Sequence, residues 1–345
     1  MSQTYTPIQL FELVGLVFIF IVGLIGNSLV LYVFLSKIRR RGVKAKPFEL
    51  LLSILAIVDL LSTFFMPGLF IYFTSVYWKK WHFGYIGCKI LRSLPVFLIT
   101  ISQGILIIIA YQRYRIVKDP LHNKLTRCSL LPSLSILIIV SALLVSPWTV
   151  TLKIVENKAN GIETCNSSSM EGLWMGRVLN FIFECLNLTR GVVAAVTIIV
   201  LSQMTSQALE KNNDFYKNNP VLRLRVQHVR RLLRTITIAF SILVIPADAF
   251  HVIYHTMTWT MKLTPETFAV LLNIHVLLKL LQSSNSAFNF IIYAGMKGDV
   301  NNFLRKLSRR VVSRSRFVVN VTEKKGEERI PRKLTTLSTI SSTGC

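Results

Sequence analysis

Seven long apolar runs dominate this 345-residue chain, and they decide its solvent. A helix needs about 20 apolar residues to cross the hydrocarbon core of a bilayer. Runs at residues 10–35, 50–73, 90–117, 130–155, 173–201, 232–253 and 268–293 meet that length, the fifth and seventh with the most polar residues. Barrel strands would read as alternating segments of about 10 residues, and no such pattern is present. Charged residues make up 16% of the chain, against roughly 25% in soluble domains. The first run is too long for a secretory signal, lacks a basic segment before it and is stopped by Lys37, Arg39, Arg40 and Arg41. The expected fold is therefore an all-α membrane protein, a seven-transmembrane helix bundle spanning 10–293 in contact with the lipid bilayer. Residues 1–9 are expected as a short extracellular N-terminus.

Basic residues orient the bundle. The chain carries 40 Lys+Arg against 16 Asp+Glu. On a soluble protein that excess would point to nucleic acid. Here it sits between the runs, so it reads as a topology signal and nucleic-acid binding is set aside. Lys37 to Lys46, Arg115 to Arg127, Lys211 to Arg234 and Lys297 to Arg310 bracket the strongly basic connections, one after every second span. The positive-inside rule makes these cytoplasmic. The N-terminus is then extracellular and the C-terminus cytoplasmic in a multi-pass plasma-membrane protein.

Of five cysteines, Cys88 and Cys165 alone fall on the external side, where disulfides persist. A Cys88–Cys165 bridge is the simplest pairing, with two free thiols as the alternative. Asn166-Ser167-Ser168 is the one external glycosylation sequon.

Ionisable and polar groups inside spans are expensive, and each is a functional candidate. Asp59 lies in the second run, with Asn27 in the first, Ser102 in the third and Asn285, Ser286 and Asn289 in the seventh. Asn285 and Asn289 share one helix face. Such a cluster suits water or a monovalent cation such as Na+ near Asp59, because a carboxylate at this depth needs a counter-charge. The other reading is a hydrogen-bonded structural cluster without an ion. Pro246 follows the basic foot of the sixth run and precedes Asp248, His251 and His255, so the sixth helix is expected to hinge there.

These residues resemble the rhodopsin-like (class A) G-protein-coupled receptors over about residues 10–310. The resemblance rests on Gly26-Asn27, on Leu55 to Asp59, and on Trp81-His82-Phe83-Gly84 shortly before Cys88. It rests also on Gln112-Arg113-Tyr114 with Pro120-Leu121, on Phe240 with Pro246, and on Asn285, Asn289 and Tyr293. It implies a heterotrimeric G protein as intracellular partner. Gln112, Arg113, Tyr114, Phe240, Pro246 and Tyr293 are the implied switch and coupling residues.

Several departures qualify the likeness. Gln112 stands where the family usually has an acid, which weakens the inactive-state clamp on Arg113 and predicts raised basal signalling. Val244 replaces the sixth-helix tryptophan, Phe290 the seventh-helix proline, and Leu137 lies near the place of the fourth-helix tryptophan. Pro95 occupies the position of the amine receptors' aspartate, and Ser283 that of the opsins' lysine. The resemblance implies a ligand under the second external loop. Candidate contacts are Arg92, Glu184, Asp248, His251 and Lys279, joined by His255, with Lys279 and Asp248 alternatively pairing with each other. A mixed set of charges suits a peptide; an acidic small molecule or lipid is the second choice.

Residues 297–309 place Val300, Phe303, Leu304 and Leu307 at helical spacing among basic residues, which predicts a short amphipathic eighth helix on the membrane surface. Residues 312–345 read as a disordered cytoplasmic tail whose serines and threonines suit a receptor kinase and then arrestin. A transporter or channel would show paired broken helices, which are not evident. An enzyme would need a nucleophile or metal cluster. Only His251 and His255 are spaced for one helix face, without a convincing third ligand, so no catalytic residues, no cofactor and no metal beyond Na+ are expected.

Overall fold

The computed structural model describes residues 6–42, 47–76, 80–119, 127–157, 162–167, 174–212, 217, 220–260 and 264–296. The amphipathic helix expected at 297–309 and the tail at 312–345 lie outside the described residues. Helices α1 (Pro7–Arg41), α2 (Pro47–Ser75), α3 (Gly84–Lys118) and α4 (Arg127–Thr151) lead into a hairpin of β1 (Leu152–Asn157) and β2 (Ile162–Ser167). Helices α5 (Trp174–Lys211), α6 (Pro220–Leu243), α7 (Ile245–Thr260) and α8 (Pro265–Met296) follow. Seven membrane-spanning helices result, with α6 and α7 forming one span.

Local chemistry sets the helix ends. Thr6 caps α1: its hydroxyl accepts from the Gln9 N–H at 3.4 Å, and the Gln9 side chain accepts from the Thr6 N–H at 3.0 Å. Pro7 then occupies the first turn, where its missing N–H costs nothing. Gly42 ends the helix at φ +51°, a conformation that a side chain would resist. The fourth helix stops earlier than its apolar run suggests. Hydropathy carries that run to Val155, but residues from Leu152 pair in the antiparallel hairpin, Ile154 opposite Cys165. Lys153 and Glu156 flank β-branched Ile154 and Val155 there, residue types that favour a strand.

α3 is the most buried span and packs against α2, α4, α5 and β1. Leu51, Leu55, Ile105 and Ile109 are fully buried where α2 meets α3. Gly104 lets α4 come close, since a Cβ there would stand 2.1 Å from Leu137 Cδ1. On the outside, Phe18, Ile136, Leu143 and Val193 stay exposed, and lipid is the solvent that leaves such a surface without penalty. α1 closes the ring against α2 and α8.

Candidate functional site

The Asp59 carboxylate is buried at the meeting of three helices. Ser102 Oγ of α3 donates to Asp59 Oδ1 at 2.9 Å, and Asn289 Nδ2 of α8 donates to Oδ2 at 3.0 Å. Asn27 of α1 joins one step away, donating to Thr63 Oγ1 at 3.2 Å and to the Ser286 carbonyl at 3.1 Å. Ser286 Oγ reaches Ser62 Oγ at 3.0 Å. Asn285 is buried in the same region, but no hydrogen bond among the described residues joins it to Asp59. The carboxylate thus has two neutral donors and no cationic partner among the described residues, which fits a small cation or water.

A second network links α3, α5, α7 and α8. Arg190 Nη2 lies 3.5 Å from Asp248 Oδ2, and Gln282 Nε2 donates to Asp248 Oδ1 at 3.0 Å. Arg190 Nη1 donates to Thr100 Oγ1. Lys279 does not pair with Asp248, the alternative that sequence left open. Its ammonium meets Glu12 of α1 and lies 4.8 Å from the centre of the Phe70 ring. Asp248 therefore belongs to Arg190 and Lys279 to Glu12, each buried charge finding the opposite charge that low dielectric demands.

A third group surrounds Glu184 of α5. His251 Nδ1 lies 3.7 Å from its Oε2 and His255 Nε2 3.8 Å from its Oε1. His251 Nε2 is 3.4 Å from His275 Nδ1 of α8, and Asn180 Nδ2 is 3.0 Å from His255 Nε2.

The hairpin roofs this half of the bundle. Cys88 of α3 is bridged to Cys165 of β2 over a sequence separation of 77 residues. Trp81 donates its backbone N–H to the Glu163 carbonyl at 2.8 Å and packs with Phe73, Cys88 and Cys165. The Arg92 side chain donates to the Cys165 carbonyl, and its guanidinium lies 5.1 Å from the Phe73 ring centre and 5.6 Å from that of Trp148. Trp148 stacks on Phe183, the neighbour of Glu184, at 5.3 Å. Asn166 lies half-buried on β2, with Nδ2 donating to Thr164 Oγ1 at 3.1 Å.

The opposite half holds Arg113. Its guanidinium carbon stands 3.7 Å from the centre of the Phe48 ring, a cation–π contact. Gln112 is buried, and its Oε1 has no hydrogen-bond partner among the described residues, so that oxygen does not accept from Arg113. Lys118 Nζ lies 5.7 Å from the Tyr114 ring centre. Arg113 and Arg230 line a small cavity with Ala110, Thr205, Val226 and Leu233. Farther along the sixth span, Phe240 packs with Leu243 and Val244. α6 ends there and α7 resumes at Ile245; Pro246 offers no N–H, and the Val244 carbonyl takes those of Ala247 at 3.0 Å and Asp248 at 3.1 Å. Tyr293 lies on the last turns of α8.

The model of the 7 transmembrane receptor (rhodopsin family) matches residues 26–293, which takes in every span but the start of the first. This chain belongs to that family. Human proteinase-activated receptor 2 is 23% identical over 94% of this chain and 78% of its own length. Neuropeptide Y receptor type 5 from Sus scrofa is 35% identical over 33% of this chain and 24% of its own length. Melanopsin from Rattus norvegicus is 35% identical over 34% and 22%. The chain is thus a multi-pass membrane receptor and not an enzyme.

The receptor's polar core contains residues that the sequence pattern did not single out. Glu12, Arg190, Asn180, His275 and Gln282 each complete a partner's hydrogen bonding or charge. Glu12 and Arg190 were within reach of the rule that flagged Asp59, since both are ionisable residues inside apolar runs. His275 met the same rule, while Asn180 and Gln282, as neutral amides, gained their partners only from the helix faces opposite.

Proposed function

We propose that this receptor binds an extracellular ligand at the hairpin end of the bundle and activates a heterotrimeric G protein at the Arg113 end. The single observation that carries the reading is the division of the buried polar groups. Glu184, Asp248, His251 and Lys279 lie in α5, α7 and α8 in the half toward the hairpin. Arg113 and Arg230 line a cavity in the other. The bridge between Cys88 and Cys165 supports an external hairpin end, because disulfides persist outside the cell. The basic connections then face the cytoplasm, with the N-terminus outside.

A peptide is the ligand class favoured. It presents both signs of charge, as do Arg92, Lys279, Glu184 and Asp248, and two of the relatives are by name receptors for a neuropeptide and for activation by a proteinase. One observation supports an acidic small molecule or lipid instead: Arg92 has no carboxylate partner among the described residues and lies between two aromatic rings. Within the bundle, Pro246 and the break at Val244 make the sixth span the moving part. Arg190 on α5 holds Asp248 just past that break, in a region where the usual tryptophan is Val244. Na+ at Asp59, glycosylation at Asn166, and receptor kinase and arrestin at the tail complete the proposal.

Second-messenger assays in cells, run ligand-free and against peptide libraries with an Arg113→Ala control, test it. The expected result is a response, basal or stimulated, that the Arg113→Ala variant loses at equal surface expression. Silence under every stimulus with good surface expression would overturn it.

A further inference from the structure

In the half toward the hairpin, Glu184 is a buried acid outside the two ion pairs. Asp248 is balanced by Arg190 and Glu12 by Lys279. The Glu184 carboxylate is flanked by two imidazoles, with His275 behind His251, and by two amides, Asn180 near His255 and Asn187 as its own hydrogen-bond partner. Arg190 also acts on it at longer range, but that charge is shared with Asp248. A dication bound among these groups would hold the carboxylate ionised and the imidazoles neutral, the forms in which they ligate. His and carboxylate donors together are the ligand set of a borderline-soft metal.

We propose that Glu184, His251 and His255 form a binding site for a transition-metal dication of the zinc class, joining α5 to α7 beneath the hairpin. His251 and His255 are four residues apart, so α7 presents both on one face, and Glu184 lies opposite. Ligands at about 2.0–2.1 Å from a tetrahedral zinc are roughly 3.3 Å from one another. His251 Nδ1 stands 3.7 Å from one Glu184 oxygen and His255 Nε2 3.8 Å from the other, so a single ligating oxygen has to come nearer to both nitrogens. As the side chains stand, no ready-made ion site of three His, Cys, Asp or Glu exists among the described residues. Closure is by rotation of the Glu184, His251 and His255 side chains.

Two further observations point to an occupant. Asn180 Oδ1 is buried and has no hydrogen-bond partner among the described residues, while its amide nitrogen stands 3.0 Å from His255 Nε2, so metal binding at that nitrogen requires the amide to turn and bring Oδ1 toward the site. A metal or a metal-bound water would give that oxygen a partner. The other ring nitrogen of His251 stands 3.4 Å from His275 Nδ1, where a metal-ligating histidine needs an orienting acceptor. His275 is thus a positioning residue and not a ligand. Because α7 is the outer half of the proposed moving span, metal occupancy would bias its position. That consequence rests on the proposed signalling mechanism; the binding site does not.

The test uses the purified full-length receptor. Zn2+ titrated into wild type is expected to bind saturably at one site and raise the thermal midpoint, while equal Mg2+ does not. Co2+ is expected to give the absorption of a low-symmetry four-coordinate centre. Glu184→Gln and His255→Ala should abolish both signals, and His275→Ala should weaken Zn2+ binding roughly tenfold or more. His255→Cys, which restores a zinc ligand, should retain binding and so separates ligand loss from misfolding. No saturable Zn2+ binding, or binding unchanged in Glu184→Gln, overturns the site. Stabilisation by arginine amide in place of zinc would also overturn it, assigning Glu184 to an organic cation. None of these readouts involves G protein, so failure here leaves the receptor reading standing.

Discussion

Arg190 on α5 and Asp248 on α7 face each other at 3.5 Å in the interior of the bundle, both nearly excluded from solvent. A buried pair is costly to assemble and costlier to break, since removing one partner strands the other charge. Asp248→Ala is expected to destabilise the receptor by about 3–5 kcal/mol, while the double variant Asp248→Leu with Arg190→Leu loses much less. Thermal unfolding of the purified variants checks this. Additive losses would show that the two residues are energetically independent.

The pair formed by Lys279 and Glu12 ties α8 to α1 in the same manner. Glu12→Gln should cost about 3–5 kcal/mol, and the swap Glu12→Lys with Lys279→Glu should recover at least half of it. Surface expression and unfolding midpoint report the outcome. A swap no better than the single change would argue against pairing as the source of the effect.

At Asp59, the partners among the described residues are two neutral donors, which bring no positive charge to the carboxylate. Sodium chloride should therefore raise the unfolding midpoint above that in choline chloride at equal ionic strength. Asp59→Asn should remove the difference, because a neutral amide offers the ion no charge. Equal midpoints in the two salts for wild type would mean that water, not Na+, completes the cluster.

Gln112 is buried with an unpartnered oxygen beside Arg113. Gln112→Glu supplies a charge-assisted hydrogen bond in place of an amide. Ligand-free signalling is expected to fall roughly two- to tenfold, the effect of about 0.5–1.5 kcal/mol on a two-state balance. A cell assay matched for surface expression decides it, and an unchanged basal level would refute the weakened clamp.

Gly104 faces Leu137 so closely that a Cβ would stand 2.1 Å from Leu137 Cδ1. Gly104→Ala should lose about 1–3 kcal/mol by overpacking, in spite of its better helix propensity. Adding Leu137→Ala should restore part of the loss, which the unfolding midpoints of the single and double variants will show.

The seven spans and the bridge between Cys88 and Cys165 were legible in the sequence. Their causes are local or compositional: run length fixes what can cross a bilayer, and compartment limits which thiols can pair. The Asp59 cluster was legible for a related reason, since a carboxylate inside an apolar run announces itself. The end of α4 was not, because Leu152, Ile154 and Val155 continue the apolar run across a single Lys153, and pairing with the partner strand diverts them.

Who pairs with whom was decided by tertiary structure alone. Sequence placed Lys279 and Asp248 in neighbouring spans and left their pairing open; packing gave Lys279 to Glu12, 267 residues away, and Asp248 to Arg190. It also set His251 and His255 against Glu184, with His275 behind them. Hydropathy is summed over one segment, so it reports that a helix spans the membrane. A buried charge or imidazole is answered across the bundle, and helix rotation, which no single segment encodes, selects the residue that answers.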